Sequence, residues 1–490
     1  MPWLTILGAL PLLGAVVAAL VRGRGRVVAG LVFSVVTFGL AIWAAVRRAD
    51  LGEIHSWIPQ IGASYALRLD GLAAMLVLVS TLLVVVVMLT RVTSVRDSEG
   101  EWRWFIPLAL ALEGLGLFTF LADDVLIFLI AFEATLFPMY FLIAAGGQAR
   151  RSAAAMKFLL YSLAGGLVLL GGIVYLMVKG NGLTFEALAG LPLAPEAERV
   201  LFLAFFVAFA VKAPLVPLHP WLPDAVEHAQ PASSVLLVGM LDAIGLYGMV
   251  RFCLGITPQG AVWASTAIVI VAVITVVYGA LAAIASRSLM RLAAFTSISH
   301  AGFMVLGLFA FTTASLSGAM TYVGAHALSA SALILAAGWT VSRRGDALAG
   351  GSFGGLARPA PVLAGVFLLS GLATLALPGT ANFAAELSII VGAWARHPII
   401  VAIGLLGVLA AGVYVLWAYQ RVFTGTPSDA GAEVPAEPVS DITRWSRLAI
   451  GLLLAGVLAF GILPGPAQHL VADNVKQSMP QGMSDPEGGR

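Results

Sequence analysis

The chain has 490 residues, of which 60% are apolar and 11% charged, with a net charge of +2. That is far too little polar surface for a water-soluble globule of this size, and no charge excess marks it as a nucleic-acid binder. Its lone cysteine, Cys253, excludes an internal disulfide, a structural zinc site and an iron-sulfur cluster.

A helix needs roughly 20 apolar residues to cross about 30 Å of hydrocarbon. Fourteen apolar runs come near that length: 4–21, 27–46, 72–90, 104–121, 125–145, 156–178, 200–217, 233–255, 261–284, 291–313, 318–341, 361–394, 399–423 and 447–464. The expected fold is all-α, a polytopic membrane protein of about 14 transmembrane helices in one domain over 1–465, with a polar C-terminal tail at 466–490. The first run has no positive stretch before it and is followed by Arg22, Arg24 and Arg26, so it reads as a retained anchor. The stretches 47–70 and 425–444 read as irregular surface linkers. Lys and Arg fall nearly two to one on alternate loops. This bias places both termini on the non-cytoplasmic side of the cell membrane.

Two runs are interrupted. The seventh carries Lys212, Pro214 and Pro217 before His219 and Pro220; the twelfth is overlong, and Pro378-Gly379 interrupts it ahead of Asn382 and Glu386. Proline deletes a ladder bond, and broken backbone survives in a bilayer only inside protein or beside water. The pattern predicts breaks at Ala213–Pro217 and Leu377–Thr380. Breaks five spans apart suggest two inverted five-helix repeats, about 104–255 and 261–424, as in many transporters.

The remaining signal is the small set of charges inside apolar runs. Lys212 lies between Phe209 and Leu215, where an ammonium costs roughly 2.5–3.5 kcal/mol on insertion scales. Snorkelling to an interface is the bland alternative. Glu133 in the fifth run is its natural partner. At about 4 Å and an effective dielectric near 20, two such charges gain roughly 4 kcal/mol. Moving them apart changes how firmly the lysine holds its proton, the core of a proton switch, whereas a static pair would only join two helices. Glu113 in the fourth run is a second buried carboxylate, or else a polar contact between helices. His300 and His326 on consecutive runs can relay a proton, one nitrogen accepting while the other donates. Glu386, after the second break, reads as a terminal proton site or a cap on a half-helix. Asp123 and Asp124 read as the start and cap of the fifth helix. Neither a metal site nor a cofactor is expected.

At these residues the chain resembles the antiporter-like subunits of the proton-pumping NADH-quinone oxidoreductase, related to the Mrp-type antiporters. The resemblance runs from Leu69-Asp70-Gly71-Leu72 to Arg421-Val422-Phe423 and is strongest from Phe209 through Lys212 and His219 to Asp224. Pro378-Gly379 followed by Asn382 and Glu386 is similar to the subunit M, chain 4 type branch, where other branches place a lysine at the last position. The resemblance implies a non-redox translocase subunit in which Glu133, Lys212, His300, His326 and Glu386 form a proton path. It implies neighbouring antiporter-like membrane subunits as partners and quinone bound elsewhere in the assembly. Two positions depart from the family pattern: Ala243 stands where a lysine is usual, and Val226 where a histidine is usual, with His228 two residues on. Asp242, beside Ala243, is the available substitute, although about 100° round the helix. An autonomous cation/proton antiporter and a relative that lost pumping remain as alternatives, the second on the strength of Ala243.

Overall fold

Lipid offers no partner to a backbone amide, so each apolar run must close its own hydrogen-bond ladder, and does so as a helix. The computed structural model describes residues 1–94, 102–145, 150–344, 354–425 and 440–480. In chain order its helices are α1 (Trp3–Leu20), α2 (Arg24–Val46), α3 (Gly71–Ser94), α4 (Phe105–Leu121), α5 (Val125–Ala134), α6 (Leu136–Ala144), α7 (Arg151–Lys179), α8 (Phe185–Leu188), α9 (Pro195–Lys212) and α10 (Trp221–His228). The chain continues through α11 (Pro231–Leu236), α12 (Asp242–Gly248), α13 (Pro258–Ile284), α14 (Leu289–Phe309), α15 (Thr313–Arg344), α16 (Pro361–Thr374), α17 (Ala381–Trp394), α18 (Pro398–Phe423), α19 (Arg444–Ile462) and α20 (Pro464–Ser478).

Among the described residues eleven helical stretches are long and apolar enough to cross a membrane, which makes this a multi-pass membrane protein. The fourteen apolar runs are not matched one for one by full-length spans. Helix α4 has 17 residues. Helix α9 carries Glu196, Glu198, Arg199 and Lys212, and the overlong twelfth run is split into α16 and α17. The stretch Pro231–Leu254 and α15 are buried all round, whereas α2 and α18 turn most of their surface outward. A helix apolar on every face suits either position.

Both breaks fall where proline predicts them. The α9 ladder stops at Lys212 and helix resumes at Trp221. The second gap runs from Leu375 to Thr380, wider than expected, because Ala376 and Gly379 both take positive φ, 57° and 92°, as α16 closes.

The stretch 47–70 departs from the irregular linker expected there, while the fold around it is helical. It is a hairpin of β1 (Gly52–Ile58) and β2 (Ala63–Arg68), antiparallel, with Gly62 at φ 71° in the turn. Ile54, Trp57, Ile58 and Tyr65 are residues that favour strands. The hairpin also has a partner for α1, since the Glu53 carboxylate accepts from Leu4 N at 2.6 Å and Thr5 N at 3.3 Å. These are orphan donors of the first turn. Part of the expected tail is likewise ordered: α20 packs against α3, where Asn474 Oδ1 accepts from Leu72 N at 3.0 Å. Most of 425–444, and the tail from 481 on, lie outside the described residues.

Candidate functional site

Lys212 is the last residue of α9 and is 1% exposed. Its Nζ stands 4.8 Å from the Phe132 ring and 5.7 Å from the Phe158 ring, contacts worth roughly 0.5–2 kcal/mol each to a cation. Glu133 follows Phe132 near the end of α5. Its carboxylate lies against Gly166 of α7, where an added Cβ would come 1.8 Å from Oε1. The third wall is α12. A Cβ on Gly245 would meet Ala213 N at 2.7 Å, and one on Gly248 would meet the Phe209 ring at 2.2 Å. Asp242 lies one turn before Gly245 on that side of the helix. It is buried, and it acts electrostatically on Lys212 together with Glu133. Lys212 Nζ, Glu133 Oε1 and Asp242 Oδ1 are all buried with no hydrogen-bond partner. The three groups share one site without a fixed bond between them.

The eighth apolar run, here called helix 8, is not a plain α-helix, and nothing in its composition announces this. Leu237–Leu241 and Met249–Leu254 are π-helical and bracket α12. A π turn takes in one extra residue and so rotates the residues after it by about 100°. Asp242 and Ala243 both follow the first π turn and rotate together, so the roughly 100° between them stands.

A second group lies between α14, α15 and α17. His300 and His326 face each other through Nδ1 atoms 3.1 Å apart, their rings nearly perpendicular. His300 is also hydrogen-bonded to the Thr374 backbone at the end of α16. Tyr322 sits 5.6 Å from the His300 ring, centre to centre, and its hydroxyl donates to Glu386 Oε1. Beside it Ser329 Oγ donates to Asn382 Oδ1 at 3.1 Å. Sequence reasoning missed Tyr322. The available signal was its place four residues before His326, which puts both on one face of α15.

The other singled-out residues fall apart from these groups. Glu113 is fully buried with both oxygens unpartnered. Gly116, one turn on, presses against Met240 in the first π segment, where a Cβ would lie 1.8 Å from its methyl. Glu113 therefore faces helix 8 rather than the Lys212 aromatic pair. Asp124 caps α5 as expected, accepting from Leu126 N at 2.8 Å. Asp123 instead binds Arg251 at 2.8 Å, and Arg251 reaches Asp70 at 3.1 Å. Val226 is buried in apolar surroundings. His228 Nδ1 binds the Asp224 carbonyl at 2.9 Å, away from Lys212. Among the described residues, no group of three or more His, Cys, Asp or Glu could hold a metal ion.

A transmembrane family described as NADH:quinone oxidoreductase/Mrp antiporter matches residues 122–411. The NADH-quinone oxidoreductase subunit M of Mycobacterium tuberculosis is 38% identical over 99% of this chain and 95% of its own. NADH-ubiquinone oxidoreductase chain 4 of Marchantia polymorpha is 29% identical over 97% of each. A chain in the structure of respiratory complex I from Thermus thermophilus superposes with a TM-score of 0.87 at 29% identity, covering 97% of this chain and 99% of that one. A chain of the Mrp complex from a Dietzia species shares the fold, with a TM-score of 0.87 at 23% identity over 98% of both.

Proposed function

The chain belongs to the NADH:quinone oxidoreductase/Mrp antiporter transmembrane family, and on that footing we propose that it is a proton-translocating membrane-arm subunit of an NADH-quinone oxidoreductase. It moves protons while quinone is reduced in other subunits, and its partners are neighbouring antiporter-like membrane subunits. It is a translocase part of an oxidoreductase and carries no redox step itself.

The observation that supports this reading best is the Glu133, Lys212 and Asp242 group. A purely structural buried ion pair needs good geometry and saturated hydrogen bonds to repay desolvation. The buried Lys212 and Asp242 and the half-buried Glu133, each with a buried polar atom that has no hydrogen-bond partner, suit sites whose proton occupancy changes. Glu133 sets the charge beside Lys212, and Lys212 releases its proton toward Asp242. His326 and His300 pass a proton through their facing nitrogens, and Tyr322 hands it to Glu386 as the terminal site. Glu113 is a further store on the α4 side. The two broken helices, one in each of the stretches 104–255 and 261–424, support an inverted pair of repeats. The loop bias in Lys and Arg supports termini on the non-cytoplasmic side.

The test is Glu133→Gln in the assembled complex, with proton uptake into sealed vesicles measured per electron passed to quinone. The expected result is an assembled complex that no longer acidifies vesicles; a proton-to-electron ratio equal to the parent's overturns the reading.

A further inference from the structure

Lys212 lies close to a second opening of the protein, one that the path through helix 8 does not use. The end of the bundle that carries the β hairpin holds a cavity of about 440 Å³, whose walls include Arg68, Asp123, Phe185 and Arg251. Its lining is charged, since Arg251 binds Asp123 at 2.8 Å and Asp70 at 3.1 Å. Asp123 precedes the cap of α5, and Glu133 stands at the other end of that helix of 10 residues. At 1.5 Å per residue the cavity and the Lys212 site are therefore separated by roughly 15 Å.

What fills the interval is a file of phenyl rings. The Arg251 guanidinium lies over the Phe185 ring at 4.2 Å. Phe185 meets Phe252 at 5.0 Å, centre to centre, Phe252 meets Phe209 at 5.3 Å, and Phe209 meets Phe132 at 6.0 Å. Phe132 is the ring that Lys212 Nζ faces at 4.8 Å. Phe128 closes the flank of the file, between 4.9 and 6.4 Å from each of these four rings. Tyr247 stacks on Phe128, and its hydroxyl donates to the Phe120 carbonyl at 2.9 Å, which commits its proton to the backbone. Phe252 holds the file together, touching Phe128, Phe185, Phe205 and Phe209. It belongs to the second π segment, which puts Arg251 into the cavity wall and the next residue into the rings.

We propose that Phe185, Phe252, Phe209 and Phe132, flanked by Phe128, are an insulating plug that shuts Lys212 off from the cavity at the hairpin end. Water settles in a buried space only where it finds roughly two to four polar partners, and an apolar space stays dry. A file of phenyl rings offers no such partners, so no water wire joins Asp123 to Lys212. The inference rests on the proton-path reading, in which the hairpin end is the side that receives the pumped protons. A Lys212 reachable from that side would take those protons back and short-circuit the gradient. The plug leaves the sideways route across helix 8 toward α15 as the one by which the proton departs.

The experiment uses the whole complex in sealed vesicles without quinone turnover. A pH gradient is imposed with the hairpin side acidic, and its decay is followed with an entrapped dye. Phe252→Ser should let the gradient decay on the order of tenfold faster than the parent, because a polar side chain admits water to a constriction that dewetting kept closed. Phe252→Leu, which stays apolar, should decay at the parental rate. So should Phe309→Ser, a like change at a buried ring at the end of α14, outside the file. Adding Lys212→Met to Phe252→Ser should restore the slow decay. Decay no faster in Phe252→Ser than in Phe309→Ser overturns the plug, and so does a leak that persists with Lys212→Met, since that is general loosening. If Phe252→Ser does not assemble, Phe128→Ser opens the same rings from α5 and carries the same expectation. Pumping lost in Glu133→Gln together with a tight Phe252→Ser overturns the plug alone, whereas full pumping in Glu133→Gln removes the proton-path reading and the plug with it.

Discussion

The group around Lys212 and the group around His300 are built on opposite principles. Around Lys212 the walls are aromatic rings and glycine backbone, and Lys212 Nζ, Glu133 Oε1 and Asp242 Oδ1 have no hydrogen-bond partner. Around His300 the polar atoms form two adjacent hydrogen-bonded pairs, histidine to histidine and tyrosine to glutamate, with the His300 and Tyr322 rings 5.6 Å apart between them. A group held in a hydrogen-bonded chain passes a proton without moving its charge centre far. An ammonium in an apolar pocket responds instead to any change in nearby charge, because the low dielectric lets fields act at full strength. On the proposed function, the contrast amounts to a division of labour: the first group would sense and load, the second conduct.

The largest effect should come from Lys212→Met. Methionine has nearly the same shape and spares the roughly 2.5–3.5 kcal/mol that a buried lysine costs. The complex should therefore assemble as well as the parent or better, while its proton-to-electron ratio falls to the value without this subunit's contribution. Retained pumping would erase the distinction between the two groups.

Next is Tyr322→Phe, which removes the hydroxyl bound to Glu386. A buried carboxyl that loses its donor costs about 1–3 kcal/mol. The variant should melt earlier than the parent and pump at a reduced ratio, with Glu386→Gln adding little further loss, since both act on one link. Independent, additive losses would show that Tyr322 is not in the conducting chain. A smaller effect belongs to Gly166→Ala. The new methyl would overlap the Glu133 carboxylate and push it off its seat without removing charge, so pumping should weaken rather than vanish. Full pumping would mean that the position of Glu133 is unimportant.

The sequence made the first group more legible than the second. Lys212, Glu133 and the proline after them are costly in lipid whatever surrounds them, so each is visible alone. The break at Pro378 was visible for the same reason. Tyr322 was invisible because tyrosine in an apolar run costs little, and its partner lies 64 residues away. The π segments were invisible because they are made of the same Leu, Val and Met that build any buried helix, and only packing against α9 and α15 selects them. The β1–β2 hairpin was lost because its apolar residues alternate only in part and no turn pair such as Asn-Gly marks it.

The smallest expected effect tests whether the mouth of a broken helix matters to what happens at its break. Helix α16 begins at Pro361, and Asp441 caps it: Oδ2 accepts from Val362 N at 2.9 Å and Oδ1 from Leu363 N at 3.1 Å. Burial alone would raise the carboxyl's pKa, but these bonds, that from Ile442 N and the charge of Arg447 outweigh it and hold the group below its ordinary value. A group whose folded pKa is depressed stabilises above its unfolded pKa, near 3.9, and loses that contribution as pH falls through the folded value. Asp441→Asn should therefore cost about 0.5–1 kcal/mol of local stability at neutral pH, at the low end because the site is partly exposed. In the parent, hydrogen exchange at the Val362 and Leu363 amides, taken relative to the intrinsic rate at each pH, should quicken only in acid. In the variant it should be faster throughout, and the difference should shrink as the parent's carboxylate is protonated. Because the cap stands a full half-helix away from Leu375–Thr380, the proton-to-electron ratio should not change. A variant with parental exchange would show that the cap is held by Pro361 and packing alone, and one with impaired pumping would join the mouth of α16 to the conducting chain at its far end.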